Sequence, residues 1–541
     1  MLRLHDLLDR SAARYAGRAA LRCRGQTLTY DNLRALTART AGGLKRLGIA
    51  RGDRVAVCLS NRPELVEILL ACSRVGAICV LVNPSLRARQ LRHVLNDSGA
   101  CVLVSDRASS VHAPSEVGDY PQLRSLVVVD GRSISAPTTQ GVAVYTLDEL
   151  RSSVPVDRVA GIDQDVAALF YTSGSSGRAK GVVVTHRNLV SGAECVAAYL
   201  DNTADDRILA VLPLSFDYGF SQVSTAFHAG ACVVLTNYLS PAALVQEIEN
   251  EQITGLAGIP FIWSQLVAVK WPSVPTSLRY VTNSGGVLPQ PVIKALAARL
   301  PTTRIFCMYG LTEAFRSTYL DPAELFARPG SIGKAVPNQE VLVLRDDGTE
   351  CEANEVGELV HRGSFVTLGY WNDPELTAKR FRPLPAAQGR PWYRQDVCVW
   401  SGDLVRRDED GYLYFVGRAD QQIKSSGVRV SPTEVEEVIG EIEGVTEVVA
   451  VGVSDEALGQ VIAVAVASTE SNRGALAERV REHCRAQLPT YMVPALLEIV
   501  AGLPRTENGK PDRTAVREMM ASIRASEAAK RQRETRGARN V

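Results

Sequence analysis

Strand-like and helix-like segments alternate through the first three-quarters of this 541-residue chain. The first series is predicted as strands over residues 54–59, 78–82 and 101–105 with helices over 64–75 and 88–95. The order returns with strands over 208–212, 232–236 and 254–259 and helices near 223–228 and over 241–251. Repeated βα units favour doubly wound parallel sheets, because parallel neighbours need a crossover connection.

The chain is too long for one hydrophobic core, so two or more domains are expected. From about residue 341 shorter strands and turns predict a small β-rich subdomain. Beyond a boundary near 417–421, a compact α+β module is predicted with helices over 433–441 and 473–487 and strands over 447–453, 461–467 and 496–500.

The predicted fold class is therefore α/β: a large N-terminal domain of doubly wound sheets with a β-rich subdomain, followed by a small mobile α+β domain. The N-terminal domain is assigned to residues 1–417 and the C-terminal domain to 421–520. Residues 521–541 are basic and poor in apolar side chains, which predicts a disordered tail.

Composition narrows the class of partner. A net charge of +1 gives no reason to expect a nucleic-acid or membrane partner, and no signal peptide or long apolar span is apparent. The eleven cysteines are scattered and form no Cys-x-x-Cys pair, and many lie in apolar runs. Reduced, buried thiols of this kind are typical of a cytoplasmic protein.

A loop rich in glycine and hydroxyl groups lies between two strand-like runs and reads Tyr-Thr-Ser-Gly-Ser-Ser-Gly-Arg-Ala-Lys-Gly over residues 171–181. Its glycines let backbone N–H groups converge on an anion, and its hydroxyls and lysine add donors and charge. The groups are Thr172, Ser173, Gly174, Ser175, Ser176, Gly177, Lys180 and Gly181. The spacing is not that of a Walker loop, and the alternative is a flexible linker, but the flanking strands favour a polyphosphate site.

This loop resembles the phosphate-binding signature of the adenylate-forming superfamily, which includes acyl-CoA synthetases, peptide-synthetase adenylation domains and luciferases. Ser176 and Ala179 stand where most of the family has threonine and proline. Further motifs follow in the family's order, so the resemblance extends over most of the chain. It implies ATP and Mg²⁺ as cofactors.

The motif Met-Tyr-Gly-Leu-Thr-Glu over residues 308–313 carries three of the implied nucleotide contacts. By resemblance, Tyr309 stacks on adenine, Thr312 contacts the α-phosphate and Glu313 helps to hold Mg²⁺. An aromatic face, a hydroxyl and a hard oxygen ligand suit these roles. Asp403 resembles the carboxylate that accepts the ribose hydroxyls, and Arg418 resembles the arginine that contacts ribose or phosphate.

The C-terminal module resembles the part of the family that serves two different steps. Asp420 resembles the hinge between domains, although Arg418 and Asp420 alone would more often form a surface ion pair. Gly427, in a hairpin over 424–432, resembles the glycine that lines a thiol tunnel, and a plain hairpin is the alternative. Lys510 resembles the adenylation lysine. Lys510 and Gly427 cannot face one pocket in a single pose, so the resemblance implies a rotation about Asp420.

The implied reaction joins two anions, because a carboxylate attacks the α-phosphorus of ATP. Catalysis must then come from neutralised repulsion and in-line positioning. Lys510 is expected to bridge the carboxylate and the α-phosphate, and the loop from Thr172 to Lys180 to hold the leaving pyrophosphate. The product is an acyl-adenylate, a mixed anhydride that reacts with thiols.

Asp217 is the clearest indication of which acid is activated. It lies in Ser-Phe-Asp-Tyr-Gly-Phe over residues 215–220, where amino-acid-activating relatives have a Phe-Asp pair whose aspartate binds the substrate ammonium. A buried carboxylate would disfavour a plain acyl chain, and the alternative is a helix N-cap. The other predicted lining residues are Phe216, Phe220, Ser284, Gly285, Gly286 and Arg316. Arg316 could pair with a second carboxylate of the substrate, with Asp217 or with Glu313.

The pattern is most like that of stand-alone ligases that load amino acids, including β-amino acids, in secondary metabolite biosynthesis. The acceptor thiol is expected on another molecule, either an acyl or peptidyl carrier protein or coenzyme A. The alternative is an AMP-forming acyl-CoA synthetase for an aliphatic or aryl acid. A third possibility is a non-catalytic nucleotide-binding protein, which the complete set of motifs disfavours.

Overall fold

The computed structural model describes residues 3–106, 120–130, 142–173, 178–272, 277–384, 396–418, 422–425, 427–455, 458–468, 470–505 and 511–538. In these ranges the helices are α1 (Leu4–Tyr15), α2 (Tyr30–Arg46), α3 (Pro63–Val75), α4 (Ala88–Ser98), α5 (Leu147–Arg151), α6 (His186–Tyr199), α7 (Asp217–Ala229), α8 (Pro241–Asn250), α9 (Pro260–Ala268), α10 (Gln290–Arg299), α11 (Pro374–Arg380), α12 (Pro432–Gly440), α13 (Arg473–Gln487) and α14 (Arg513–Ala538).

The strands are β1 (Ala19–Cys23), β2 (Gln26–Thr29), β3 (Arg54–Cys58), β4 (Ile78–Val82), β5 (Val102–Ser105), β6 (Ser125–Val128), β7 (Ala143–Thr146), β8 (Val166–Ser173), β9 (Ala179–Thr185), β10 (Arg207–Ala210), β11 (Cys232–Leu235), β12 (Gly255–Gly258), β13 (Tyr280–Asn283), β14 (Arg304–Leu311), β15 (Phe315–Leu320), β16 (Ser331–Ala335), β17 (Gln339–Leu344), β18 (Val356–Gly363), β19 (Phe381–Pro383), β20 (Val397–Arg407), β21 (Leu413–Arg418), β22 (Ile423–Ser425), β23 (Val428–Val430), β24 (Glu447–Asp455), β25 (Gly459–Ala467) and β26 (Leu496–Val500).

Local sequence sets where these elements begin and end. Pro63 opens α3, where its missing N–H costs nothing, and Gly76 ends the helix in the left-handed conformation with φ +74°. Thr185 caps α6 by accepting a hydrogen bond from the N–H of Asn188, whose side chain bonds back. These signals divide the apolar runs into the alternating units that build the sheets.

Two sheets form the N-terminal domain. One is 7-stranded in the order β7-β6-β5-β3-β4-β8-β9, parallel except for the β8–β9 hairpin. The other is 14-stranded in the order β17-β18-β20-β21-β16-β15-β14-β13-β12-β10-β11-β1-β2, with β19 on β20. The run from β14 to β1 is parallel, whereas β15 to β21 pair antiparallel and form the β-rich part.

The C-terminal module holds a 5-stranded sheet in the order β23-β22-β25-β24, with β26 parallel to β25. One apolar cluster includes residues of α12 and α13, and a second lies against α14, where Val516 and Met520 are fully buried. The predicted α/β fold, with a large sheet domain followed by a smaller domain, is confirmed. None of the described helices is both long and apolar enough to cross a membrane.

The structure corrects the prediction of a disordered tail for residues 521–538, because α14 continues to Ala538, and residues 539–541 lie outside the described residues. Ile523 packs on the cluster that contains Met520, and Arg524 forms an ion pair with Asp455 of β24. These contacts extend the docked part of the helix by more than a turn beyond residue 520.

The C-terminal module docks on α4 of the N-terminal domain. Arg89 of α4 lies 2.5 Å from Glu441, and the Nε2 atom of Gln90 donates to Glu434 at 3.4 Å and to the carbonyl of Gln487 at 3.3 Å. The contact brings β23 beside β8, next to the glycine-rich loop. A cavity is enclosed where the two domains meet.

Candidate active site

A cavity of about 400 Å³ lies between the carboxyl ends of the parallel strands and the C-terminal module. Ligands of open α/β sheets bind at this edge of the strands. The N-terminal domain contributes Thr172, Phe216, Asp217, Ser284, Gly285, Thr312 and Arg316 to its wall. The C-terminal module contributes Lys424, Gly427, Glu434 and Tyr491. The structure thus brings residues from both predicted halves of the site into one space.

Lys180, Tyr370 and Glu313 form a chain of contacts on the side predicted to hold phosphate. The Nζ atom of Lys180 donates to the Tyr370 hydroxyl at 2.9 Å, which donates to the Oε1 atom of Glu313 at 2.7 Å. Lys180 also lies 3.4 Å from that carboxylate and 4.1 Å from the centre of the Tyr370 ring. Lys180 follows the glycine-rich loop on β9, so the hairpin places its charge beside the loop.

The charges of this group control the protonation of Glu313. Burial alone would raise the pKa of Glu313, but Lys180 and Arg429, with the hydrogen bond from Tyr370, lower it to about 2. Burial lowers the pKa of Lys180, and Glu313 opposes that shift. Glu313 is 2% exposed, and its Oε2 atom accepts no hydrogen bond from the residues that the structure describes. This carboxylate is therefore ionised, with one oxygen available to a ligand.

Asp403, within β20, is held by cations and a phenol. Its register partner Arg418 on β21 lies 2.5 Å from Oδ1, and the Tyr309 hydroxyl donates to Oδ2. Arg429 of the C-terminal module lies 4.0 Å from Asp403 and 3.6 Å from Glu313. Tyr309 also stacks on His361 with ring centres 6.1 Å apart. The predicted adenine and ribose residues therefore lie together.

Several predicted residues fall outside the described ranges. These are Gly174, Ser175, Ser176 and Gly177 of the loop, the hinge residue Asp420 and the adenylation residue Lys510. Ser173 is described only as part of β8, without its side chain. Beside the loop, the Thr172 hydroxyl is buried and without a hydrogen-bond partner among the described residues. Their roles stay predictions from the resemblance.

Asp217 does not cap the helix that it begins. Phe216 is the N-cap residue of α7 and makes no side-chain cap, while Asp217 Oδ1 accepts a hydrogen bond from the Thr312 hydroxyl at 3.1 Å. Burial raises the pKa of Asp217, against the opposing charge of Arg316. The side chain therefore belongs to the cavity wall, as the ammonium-binding interpretation requires and the N-cap alternative does not.

A bulge between β14 and β15 sets the orientation of the residues on this wall. Phe315 adopts φ +52°, and a Cβ on Gly310 would lie 2.2 Å from the Phe315 carbonyl oxygen. Only glycine therefore fits at 310. The short turn between the strands carries Thr312 and Glu313, and Arg316 follows it on β15. One local irregularity thus presents three predicted site residues.

The glycines of the two domains meet at the cavity. Gly285 and Gly427 both have positive φ, and a Cβ on Gly285 would lie 3.5 Å from the Gly427 Cα. A Cβ on Gly427 would lie 3.1 Å from the Ile259 side chain. The hairpin predicted to line a thiol tunnel therefore lies against the acyl side of the cavity in this domain arrangement.

Two predicted lining residues do not reach the cavity, and the structure corrects them. Phe220 is 1% exposed and packs on Phe170 with ring centres 5.9 Å apart, because position 220 on α7 faces the sheet. Gly286 instead packs against Pro260, and its carbonyl accepts a hydrogen bond from Asn283. Both residues support the wall from behind.

Sequence reasoning missed Tyr370, Arg429 and His361. Tyr370 lies 57 residues beyond Glu313, and no spacing rule links the two. Arg429 lies in the hairpin over residues 424–432, but nothing in that motif assigns it a contact with Glu313 or Asp403. His361 is fully buried, and both ring nitrogens lack hydrogen-bond partners among the described residues, while burial lowers its pKa to about 4. In the sequence, an isolated histidine in a strand-like run does not indicate a binding site.

A separate group of metal-ligand type, His5, Asp6 and Asp9, lies on α1 and does not line the cavity. The Nδ1 atom of His5 is 2.8 Å from the Ser73 hydroxyl, and Asp9 forms an ion pair with Arg74. Burial lowers the pKa of His5 to about 2. These contacts explain the group as part of the packing of α1 on α3.

Comparison with known proteins shows the family to which the chain belongs. The chain matches the AMP-binding enzyme model over residues 8–371 and the AMP-binding enzyme C-terminal domain model over residues 434–510. It belongs to the AMP-binding enzyme family. The predicted membership of the adenylate-forming superfamily is thereby confirmed.

Two curated relatives indicate the class of reaction. An indoleacetate–CoA ligase of Aromatoleum aromaticum is 31% identical over 528 residues, which cover 96% of this chain and 98% of the relative. A feruloyl-CoA synthase of an Amycolatopsis species is 32% identical over 496 residues, which cover 91% and 94%. The chain is an AMP-forming acid–thiol ligase that uses ATP.

Two solved structures of one relative are similar to this chain to different degrees. The o-succinylbenzoate CoA synthetase of Bacillus subtilis, as a double mutant with a product analogue, has a TM-score of 0.81 at 26% identity, covering 95% of this chain and 98% of that one. The same synthetase with its acyl-adenylate intermediate gives 0.67, with coverage of 94% and 97%. The chain is thus more similar overall to the product-analogue complex than to the acyl-adenylate complex of that synthetase.

Proposed function

We propose that this ligase activates an amino acid, with its amine in the α or β position, and passes the acyl group to a thiol. The observation that carries the proposal is Asp217. This carboxylate lines the cavity, accepts one hydrogen bond, from Thr312, and has no cation within 4 Å among the described residues. A substrate ammonium would supply the missing counter-charge.

In the first step a carboxylate oxygen attacks the α-phosphorus of ATP, and pyrophosphate leaves. The ribose would bind Asp403 and the adenine would lie against Tyr309, while Lys180 and Thr172 would face the phosphates with the loop residues Ser173 to Gly177. Arg418 holds Asp403 in place for this role. Because residues 309–313 contact both Asp403 and Asp217, one short segment aligns the nucleotide with the acid.

The donor set at Glu313 fits Mg²⁺. The carboxylate is ionised, and one of its oxygens accepts no hydrogen bond among the described residues. Mg²⁺ is commonly held by one or two carboxylates together with substrate phosphates. When bound, the ion would neutralise phosphate oxygens, and Tyr370 and Lys180 would keep the Glu313 carboxylate in position.

The proposal extends to Lys510 and Asp420 through the family resemblance alone. Lys510 would bridge the substrate carboxylate and the α-phosphate during adenylation. Rotation of residues 421–520 about Asp420 would then exchange Lys510 for the Gly427 hairpin. The contact between Gly427 and Gly285 and the higher TM-score with the product-analogue complex support the thioester-forming arrangement as the one described.

Transfer to coenzyme A is the second candidate for the last step, and an acyl-CoA synthetase for an aliphatic or aryl acid is the second candidate function. The relatives named above are a ligase for indoleacetate and a synthase for feruloyl-CoA. Apolar side chains such as Leu212, Phe216 and Ile259 also line the cavity. A phosphopantetheine thiol of a carrier protein remains the first proposal for an amino-acid substrate.

ATP–pyrophosphate exchange tests the proposal without knowledge of the acceptor. The panel pairs each acid with the analogue that differs only by an α- or β-amine, over several chain lengths and aryl groups. We expect the amine to raise kcat/KM for exchange by more than about ten-fold. Exchange confined to acids without an amine would contradict the proposal and favour the second candidate. Thioester formation with coenzyme A, or with carrier proteins that bear a free phosphopantetheine thiol, then identifies the acceptor.

A further inference from the structure

Arg316 is a buried arginine without an acidic partner. It is 2% exposed, and it lines the same cavity wall as Asp217. Among the described residues its side chain makes no hydrogen bond and no ion pair within 4 Å, and its Nε atom is buried. Its guanidinium carbon lies 3.9 Å from the centre of the Tyr218 ring and 5.8 Å from that of Phe315.

The nearby carboxylates are engaged elsewhere. Glu313 is held by Lys180, Tyr370 and Arg429. Asp217 accepts a hydrogen bond from Thr312. Burial raises the pKa of Asp217 and the charge of Arg316 opposes that rise, but the two side chains do not lie within ion-pair distance. The two alternatives from the sequence, pairing with Asp217 or with Glu313, are therefore not realised. Each of the two oppositely charged groups on the wall lacks a bonded counter-ion.

The position of Arg316 is set by its surroundings. Tyr218 beneath the guanidinium is fixed by a hydrogen bond from its hydroxyl to the Thr282 carbonyl at 2.9 Å. The strained backbone of Phe315 fixes the start of β15. A cation over an aromatic ring is stabilised only in part, and a buried guanidinium without hydrogen bonds is costly. A ligand group that accepts from Arg316 would offset that cost.

We propose that the acid carries a second carboxylate, beyond the one that reacts, and that Arg316 binds it. The guanidinium fork matches a carboxylate bidentately, which a point charge cannot do. This inference rests on the proposed function, because it concerns the acyl pocket of the same enzyme. Together with Asp217, it names amino dicarboxylic acids as the substrate class.

The test uses sets of four acids with one carbon skeleton, such as butyrate, 3-aminobutyrate, succinate and aspartate, at several chain lengths. Each dicarboxylate is also compared with its monoamide, which keeps the shape and removes the charge. We expect the second carboxylate to raise kcat/KM for pyrophosphate exchange over the monoamide by at least about 30-fold, as lost hydrogen bonds to a charged group imply.

Arg316→Met should abolish this preference, and Arg316→Lys should retain part of it. Arg304→Met, on the neighbouring β14 where Arg304 pairs with Asp201, is the matched control and should keep the preference. Thermal unfolding checks that each variant folds. If Arg316→Met does not fold, two other results test the inference. They are the preference of the natural enzyme for the dicarboxylate over its monoamide and the weakening of that preference in Arg316→Lys.

The inference is overturned if no second carboxylate outperforms its monoamide at any chain length, or if Arg316→Met keeps the preference. The panel separates this failure from failure of the proposed function. Activity on 3-aminobutyrate but not on aspartate would retain the amine and exclude the second carboxylate. Activity on succinate but not on aspartate would retain the second carboxylate and exclude the amine.

Discussion

At the scale of single residues, Asp217 decides between two interpretations that the sequence left open. An aspartate at the first turn of a helix is usually a cap. Here Phe216 occupies the N-cap position, and the Asp217 side chain points to Thr312 and the cavity. Only the three-dimensional path of the turn before α7 separates a cap from a binding residue.

Asp217→Asn should lower kcat/KM for amine-bearing acids by more than about ten-fold, because the ammonium would lose its ionic partner. The amide keeps the size and the contact with Thr312, so the analogue without an amine should lose much less. Pyrophosphate exchange with both acids measures the difference. The control is Asp205→Asn, on an exposed aspartate paired with Arg18. An unchanged substrate preference in Asp217→Asn would show that the carboxylate does not bind the amine.

Tyr370→Phe should raise the KM for ATP by about five-fold, the effect of about 1 kcal/mol from lost hydrogen bonds. The phenol joins Lys180 to Glu313, so its loss frees both groups that would face the phosphates and metal. Exchange kinetics with varied ATP measure the change. Tyr319→Phe serves as control, since its ring stacks on Tyr199. Equal KM values for ATP in Tyr370→Phe and Tyr319→Phe would show that Tyr370 does not contribute to nucleotide binding.

At the scale of elements, substitutions in the hairpin at Gly427 and in the segment at Lys510 should impair different half-reactions. Gly427→Ala places a Cβ at φ +79°, 3.1 Å from Ile259, and should slow thioester formation by about ten-fold through backbone strain and crowding. Lys510→Ala should abolish exchange and spare thioester formation from supplied acyl-adenylate. Separate assays of each half-reaction measure both variants. Equal loss of both half-reactions in either variant would contradict the division of roles.

Periodicity predicted most elements because their apolar faces are continuous. The ranges 78–82, 473–487 and 496–500 coincide with β4, α13 and β26. The helix near 223–228 was placed too late, because Gly219 weakens the helical pattern of the first two turns. Tertiary contact explains the difference: a Cβ at 219 would lie 2.1 Å from the Pro213 carbonyl, so glycine lets α7 begin against the preceding turn.

The motifs predicted which residues meet at the site, but not their contacts. Lys180 lies beside Glu313 and Arg418 beside Asp403, and the roles that the resemblance implies for these residues stay predictions. Tyr370 and Arg429 complete the network from distant segments, and Phe220 turned out to pack in the core. Contacts of this kind depend on how subdomains pack, which neither spacing nor residue type encodes.

At the scale of the whole molecule, the docked C-terminal domain should respond to pH through Glu434. Burial between the domains raises the pKa of Glu434 to about 7, with Gln90 and Arg89 opposing and Glu437 adding to the rise. Tyr491 also lines this part of the cavity. A carboxyl whose pKa is raised only when docked binds its proton more tightly in that arrangement. The docked arrangement should therefore lose stability as pH rises from 4.5 towards 7.

Fluorescence energy transfer between dyes on the two domains measures this equilibrium. The natural enzyme should shift towards the undocked arrangement between pH 4.5 and about 7, and Glu434→Gln should not. Burial lowers the pKa of Lys424 to about 8. The measurements therefore stop below pH 8, before Lys424 loses its proton. Glu443→Gln, on an exposed glutamate of the same domain, is the control. The same slope in Glu434→Gln and in the natural enzyme would assign the dependence to other groups.

We propose that the nucleotide binds at Tyr309 and Asp403 and that the amine of the acid binds at Asp217, with the segment over residues 309–313 in contact with both carboxylates. A crystal structure with a non-hydrolysable aminoacyl-adenylate analogue of an accepted substrate tests it most directly. The account predicts that the ribose hydroxyls bind Asp403 and that the amine lies within hydrogen-bond distance of Asp217. An amine directed away from Asp217, with that carboxylate still bonded only to Thr312, would contradict the account.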